Sequence, residues 1–308
     1  MSLKKHIMKD IRSAVDEYTI DRLLPTAEVI HKFAQLLSGG TEQFPNKEKA
    51  IEFIIASWDY SKFSEFVKAE FETKLDDGKH KYKKYDELDK ATATYQSFLE
   101  KFNKKYPDST NYMSGKNYES KLNSIRRLDI TFEEKERLIE EETVRSLHTF
   151  ELNQLRNDST EAILYKAFKN NITPTLKNIK GVDFYINGVA FDVKNSRSLG
   201  LAFMKTHIGK DKNLDDSDYK KAKEFAIKHS GKLSESLFSN QSLARFSSDE
   251  LQNKLYIASS NPNKYPSLAE LTSSIKHLNI NAPLKVKSSI DVLGNIEEYK
   301  FLSYEIII

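Results

Sequence analysis

The residues best suited to chemistry lie in one stretch, Gly181-Val182-Asp183-Phe184-Tyr185-Ile186-Asn187-Gly188-Val189-Ala190-Phe191-Asp192-Val193-Lys194. Two carboxylates and an ammonium in so short a span can be brought to one place by a single chain reversal. Carboxylates held together repel, and a divalent metal between them turns that repulsion into binding energy. A lysine beside them could orient a water or offset negative charge developing in a transition state.

The chain reversal is written in the sequence. Asn187-Gly188 is the favoured pair for a two-residue type I′ turn, because both central residues need positive φ. Counting outward sets Ile186 opposite Val189, Tyr185 opposite Ala190, Phe184 opposite Phe191 and Asp183 opposite Asp192. Alternation along the strands then gives one wholly apolar face of Val182, Phe184, Ile186, Val189, Phe191 and Val193, which must be buried. The other face gathers Asp183, Asp192 and Lys194 at one end. Two directly opposed aspartates at roughly 5 Å repel by about 3 kcal/mol at an effective dielectric near 20. That cost falls if a cation lies between them or if solvent screens them well; the competing reading is a solvated outer face of a surface hairpin.

Asp183, eight intervening residues and Asp192-Val193-Lys194 together resemble the signature of the PD-(D/E)XK nuclease superfamily, which includes most type II restriction endonucleases. The resemblance covers some 35 residues around the hairpin, and Val182 stands where the family often has Pro. It implies a restriction-endonuclease-like α/β mixed-sheet core and a Mg2+-dependent phosphodiesterase. Asp183 and Asp192 would bind the metal with the backbone carbonyl of Val193, and Lys194 would position the attacking water. Family analogy further implies double-stranded DNA as partner and a homodimer cutting a short palindrome. Two alternatives stay open: a structure-specific repair, recombination or phage-defence nuclease, and a non-catalytic DNA-binding protein on a degenerate nuclease fold.

Glu161 admits two roles. Superfamily members often add a Glu from the helix before the strands to the metal site, and the spacing predicts a helix over 159–170 with Glu161 beside Leu164 and Phe168. Asp158-Ser159-Thr160-Glu161 also has the form of a capping box. Asn195, Ser196 and Arg197 leave the hairpin toward the expected groove, as polar residues able to contact phosphates or bases or as an ordinary turn. Lys205, His207, Lys210 and Lys212 follow. Lys116, Lys121, Arg126 and Arg127 form a basic group with few acidic neighbours. Lys79-His80-Lys81-Tyr82-Lys83-Lys84-Tyr85 interleaves charge and rings but is nearly cancelled by Asp76, Asp77, Asp86, Glu87 and Asp89.

The chain has 308 residues, 39% hydrophobic and 30% charged, and its 48 Lys and Arg exceed its 45 Asp and Glu by only three. Such a balance excludes a simple polybasic nucleic-acid glue, while leaving room for one basic face. The absence of cysteine removes disulfides, thiolate zinc sites and cysteine nucleophiles. No zinc-hydrolase histidine spacing, phosphate-binding Gly-rich loop or serine elbow is present. With no apolar run long enough for a bilayer and no secretory leader visible, a cytoplasmic protein is expected.

Scarce Gly and Pro before residue 160 predict a mostly helical region over residues 1–155, ahead of an α/β catalytic core over 156–308. Ala50 to Lys68 carries a helical stripe of Ile51, Ile54, Ile55, Trp58 and Phe66. Thr131-x-x-Glu134 opens a long helix. Further helices are expected over 217–229, 248–258 and 267–278, and a hairpin over 283–308 turning at Leu293-Gly294-Asn295.

Overall fold

A computed structural model describes residues 7–73, 85–107, 115–196, 198–242, 252–261, 264–292 and 295–308. Among the described residues, seven helices precede the first strand: α1 (Glu17–Leu23), α2 (Ala27–Leu37), α3 (Lys47–Ala56), α4 (Tyr60–Glu72), α5 (Tyr85–Lys105), α6 (Gly115–Arg126) and α7 (Phe132–Ala167). Then come β1 (Ile172–Ile179), β2 (Val182–Ile186), β3 (Val189–Ser196), α8 (Leu201–Ile208), α9 (Asp216–Lys228), α10 (Lys232–Ser242), β4 (Asn253–Ala258), α11 (Leu268–Lys276), β5 (Leu284–Val292) and β6 (Asn295–Ile307).

Among the described residues the strands form one six-stranded mixed sheet in the order β1-β2-β3-β4-β6-β5. An antiparallel meander of β1, β2 and β3 meets β4 and then β6 in parallel, and β5 closes the far edge antiparallel to β6. The protein is therefore α/β, with a helical N-terminal half.

Both faces of the sheet are covered. Phe184, Phe191, Leu255, Ile257, Tyr304 and Ile306 join one core with Leu152, Leu155 and Ile163 of α7, Tyr95 of α5 and Leu271 of α11. A second core takes Tyr256, Ala258 and Phe301 against Phe203 of α8, Ala222 and Ala226 of α9, and Leu233, Leu237 and Phe238 of α10. Nearer β2, Tyr185 and Ala190 on the second face are also fully buried, and Tyr185 donates to the Met8 carbonyl of the N-terminal segment. This overturns the solvated outer face.

Several local expectations are met for the expected reasons. Thr131 caps α7, its Oγ1 accepting from the Glu134 N–H at 3.2 Å. The helix then runs 36 residues. Residue 155 lies inside it, and the first core draws on residues either side of that point. Burial thus shows no break at the expected domain boundary. The 50–68 stripe is split into α3 and α4, because Asp59 accepts from the N–H groups of Ser61 and Lys62 and starts a new helix.

The helix expected over 248–258 is a correction. Residues 253–258 are strand β4, every one buried, lying between β3 and β6. A central parallel strand is apolar on both faces and shows no two-residue alternation, so a short buried run of this kind is easily taken for helix. Strand β1 was not anticipated; its Pro174 is tolerated because β1 lies at the sheet edge. Leu293 and Gly294 of the second hairpin turn, and Lys79–Lys84 of the interleaved segment, lie outside the described residues.

Candidate active site

Asn187 at φ 49° and Gly188 at φ 79° make the tight turn as anticipated. The ladder then pairs Ile186 with Val189, Tyr185 with Ala190 and Phe184 with Phe191. At Asp183 the arrangement changes. Its carboxylate Oδ2 accepts from the Val193 N–H at 2.7 Å, crossing onto β3 at the point where β3 takes up β4 as its other neighbour.

Asp192 is 4% exposed. Its Oδ2 accepts from Lys194 Nζ at 3.0 Å and from Lys254 Nζ at 2.5 Å. Lys254 lies on β4 in register with Asp192 and is fully buried, whereas the Lys194 side chain is about a third exposed, at 32%. The expected repulsion between the aspartates is removed in two ways. Asp183 is satisfied by a main-chain N–H, and Asp192 faces cations, which here are ammonium groups. The Asp183 carboxylate is thus held to the β3 main chain at Val193, between Asp192 and Lys194, which pair with each other, and Lys254 joins Asp192.

Sequence reasoning missed Lys254 because its segment was read as helix. A signal was present: one lysine in the run Leu255-Tyr256-Ile257-Ala258 and its preceding Asn253 has nowhere polar to go on a central strand. A wholly buried lysine costs several kcal/mol in desolvation, and charges held at that cost are candidate functional groups.

The other expected residues divide. Asn195 Oδ1 accepts from Thr160 Oγ1 at 3.3 Å and the Asn195 carbonyl from Arg156 Nη2 at 3.4 Å, so this residue is engaged with α7 on the face opposite Asp192. Ser196 Oγ donates to the Ser198 carbonyl, forming a local turn. Arg197 lies outside the described residues. The α7 helix is continuous through 158–161, which removes the capping box; Asp158 accepts instead from Gln154. Glu161 is half-buried there. Among the described residues no three His, Cys, Asp or Glu side chains are placed to hold one metal, so Glu161 does not form a three-carboxylate group with Asp183 and Asp192.

Lys121 pairs with Glu142 of α7 at 3.3 Å, so that basic group has a closer acidic neighbour than its sequence suggests. Arg126 donates to Asn123 and is exposed with Arg127, while the Lys116 side chain is outside the description. Lys205 on α8 lies near Asp211, and Lys210 donates to both Asp218 oxygens. His207 stacks on Phe225 at 4.5 Å, where burial lowers its pKa first and Lys232 second.

Asp183 and Asp192, carboxylates on the neighbouring strands β2 and β3, are hard oxygen donors of the type that Mg2+ takes alongside water and phosphate oxygens. No described helix is long and apolar enough to cross a membrane. Comparison with known proteins finds no matching family model, no matching curated protein and no matching solved structure.

Proposed function

We propose that this chain is a Mg2+-dependent endonuclease that hydrolyses DNA phosphodiester bonds, with a restriction-endonuclease-like core and the action of a type II restriction enzyme. The observation that carries the reading is the Asp192–Lys194 ion pair on β3, with the Asp183 carboxylate of β2 bound to the Val193 N–H between them. The α7, β1-β2-β3, β4 arrangement is compatible with the mixed-sheet core that the resemblance implies.

Asp183 and Asp192, with the Val193 carbonyl, are the groups that would hold Mg2+. When bound, the ion acidifies a water and neutralises charge on the phosphate oxygens. Lys194, tethered to Asp192 yet partly exposed, can donate to the attacking water and aim its lone pair at phosphorus. The same ammonium offsets the charge that builds on the pentacovalent phosphate. Lys254, buried on the neighbouring strand β4, holds Asp192, so the carboxylate is aimed before substrate arrives. The type II assignment brings double-stranded DNA as substrate and a homodimer whose two-fold axis matches a palindrome.

The test is digestion of plasmid and phage DNA by the purified protein with and without Mg2+. Discrete, metal-dependent fragments support the proposal, and sequencing their ends gives the site. A smear or a preference for branched substrates would replace the restriction assignment with a structure-specific one, and intact DNA at millimolar Mg2+ would remove the nuclease assignment.

A further inference from the structure

The N-terminal segment is built into the site at one point. Asp10 and Val189 form an antiparallel bridge, flanked by hydrogen bonds from the Ala190 N–H to the Lys9 carbonyl at 2.7 Å and from the Ile11 N–H to the Gly188 carbonyl at 2.9 Å. Side chains Tyr185 and Trp58 donate to the Met8 and Ile11 carbonyls, and the Met8 N–H donates to Thr19 Oγ1. Residues 8 to 11 are therefore held by five hydrogen bonds, to β3, the turn before it, β2, Trp58 and α1, a rigid mounting for whatever side chain they present.

That side chain is Lys9. The bridge sets it opposite Ala190, and alternation along β3 puts Ala190, Asp192 and Lys194 on one face. Lys254 shares that face through its register with Asp192. Lys9 is near enough to Lys254 to feel its charge: burial lowers the Lys9 pKa first, and Lys254 lowers it further. Lys194 and Lys254 thus contact Asp192, and Lys9, from a third chain segment, lies on the same face opposite Ala190. Ammonium groups presented from separate chain segments on one face, with Lys9 exposed to solvent, suit an anion with several acceptor oxygens.

We propose that Lys9 binds a backbone phosphate of the DNA at this site, so that the N-terminal segment forms part of the substrate-binding surface. The inference rests on the nuclease reading and adds a residue to it from the far end of the chain. Lys9 supplies positioning and charge next to the reacting phosphate, while Lys194 serves the water. Because the hydrogen bonds that mount the segment are made by the Lys9 backbone and its neighbours, the side chain can be changed without dismantling the mount.

The experiment measures binding of a fluorescent 30-base-pair duplex in Ca2+, which permits binding without turnover, across a salt series, together with plasmid cleavage in Mg2+. Wild type, Lys9→Met and Lys9→Arg are compared after circular dichroism shows equal folding. Loss of one phosphate contact makes the slope of log affinity against log salt shallower by about 0.9. Between roughly 50 and 200 mM salt the Lys9→Met affinity should therefore fall about 3.5-fold less than that of wild type. Its cleavage should lose mainly in KM, and Lys9→Arg should restore both. Wild-type cleavage with an unchanged salt slope in Lys9→Met overturns this inference and leaves the nuclease reading standing. A wild type that neither binds nor cuts DNA overturns both.

Discussion

Asp192 holds two ammonium groups, and this makes its removal the most informative perturbation of stability. In Asp192→Asn the wholly buried Lys254 loses its countercharge at 2.5 Å, and Lys194 loses its own at 3.0 Å. Stranding a buried charge costs about 3–5 kcal/mol. Lys254→Met should cost less, about 2–3 kcal/mol, because Lys194 still reaches Asp192, although solvent weakens that contact. Replacing both buried charges together, in Asp192→Asn/Lys254→Met, removes the desolvation cost with the attraction and should recover most of the loss. Urea unfolding followed by circular dichroism near pH 7.5 gives the three values from midpoints at constant slope. A cost below about 1 kcal/mol for Asp192→Asn, or a double variant as destabilised as the sum of its parents, would refute the view that these two charges sustain one another.

Other outcomes follow from single contacts. Gly188→Ala should destabilise by about 1–3 kcal/mol, since φ is +79° and an added Cβ would meet Arg12 Cγ at 2.3 Å; thermal unfolding reads it. Tyr185→Phe removes the hydrogen bond to the Met8 carbonyl, should cost about 1 kcal/mol, and should speed proteolysis ahead of residue 12. The Lys210 hydrogen bond holds the Asp218 pKa below its ordinary value, so its contribution is present above about pH 4 and is lost as acid protonates the folded carboxyl. Lys210→Met should flatten that part of an acid-unfolding profile, and an unchanged profile would contradict the assignment.

The hairpin of β2 and β3 was legible because its turn dipeptide and its two-residue alternation agree, and each alone would have placed Phe184 against Phe191. The aspartates were legible as a pair needing a cation, though not as a pair served by lysine. What hid Lys254 is the chemistry of a central parallel strand: buried on both faces, Leu255-Tyr256-Ile257 carries no alternation to separate it from helix. Lys9 was hidden for another reason. Its place depends on a bridge between residues 10 and 189, a pairing across most of the chain that no local pattern encodes. Asn195 shows the converse failure, since its position after Lys194 suggested the groove, whereas one further step along a strand turns a side chain to the opposite face and α7 takes it.

The most direct measurement is single-turnover cleavage of a supercoiled plasmid by wild type, Asp183→Asn and Lys194→Met, with Mg2+ varied from zero to millimolar. The account expects nicked and linear products from wild type only when Mg2+ is present, and none from either variant while both remain folded. Cutting that persists without the metal, or that survives either substitution at the wild-type rate, would contradict it.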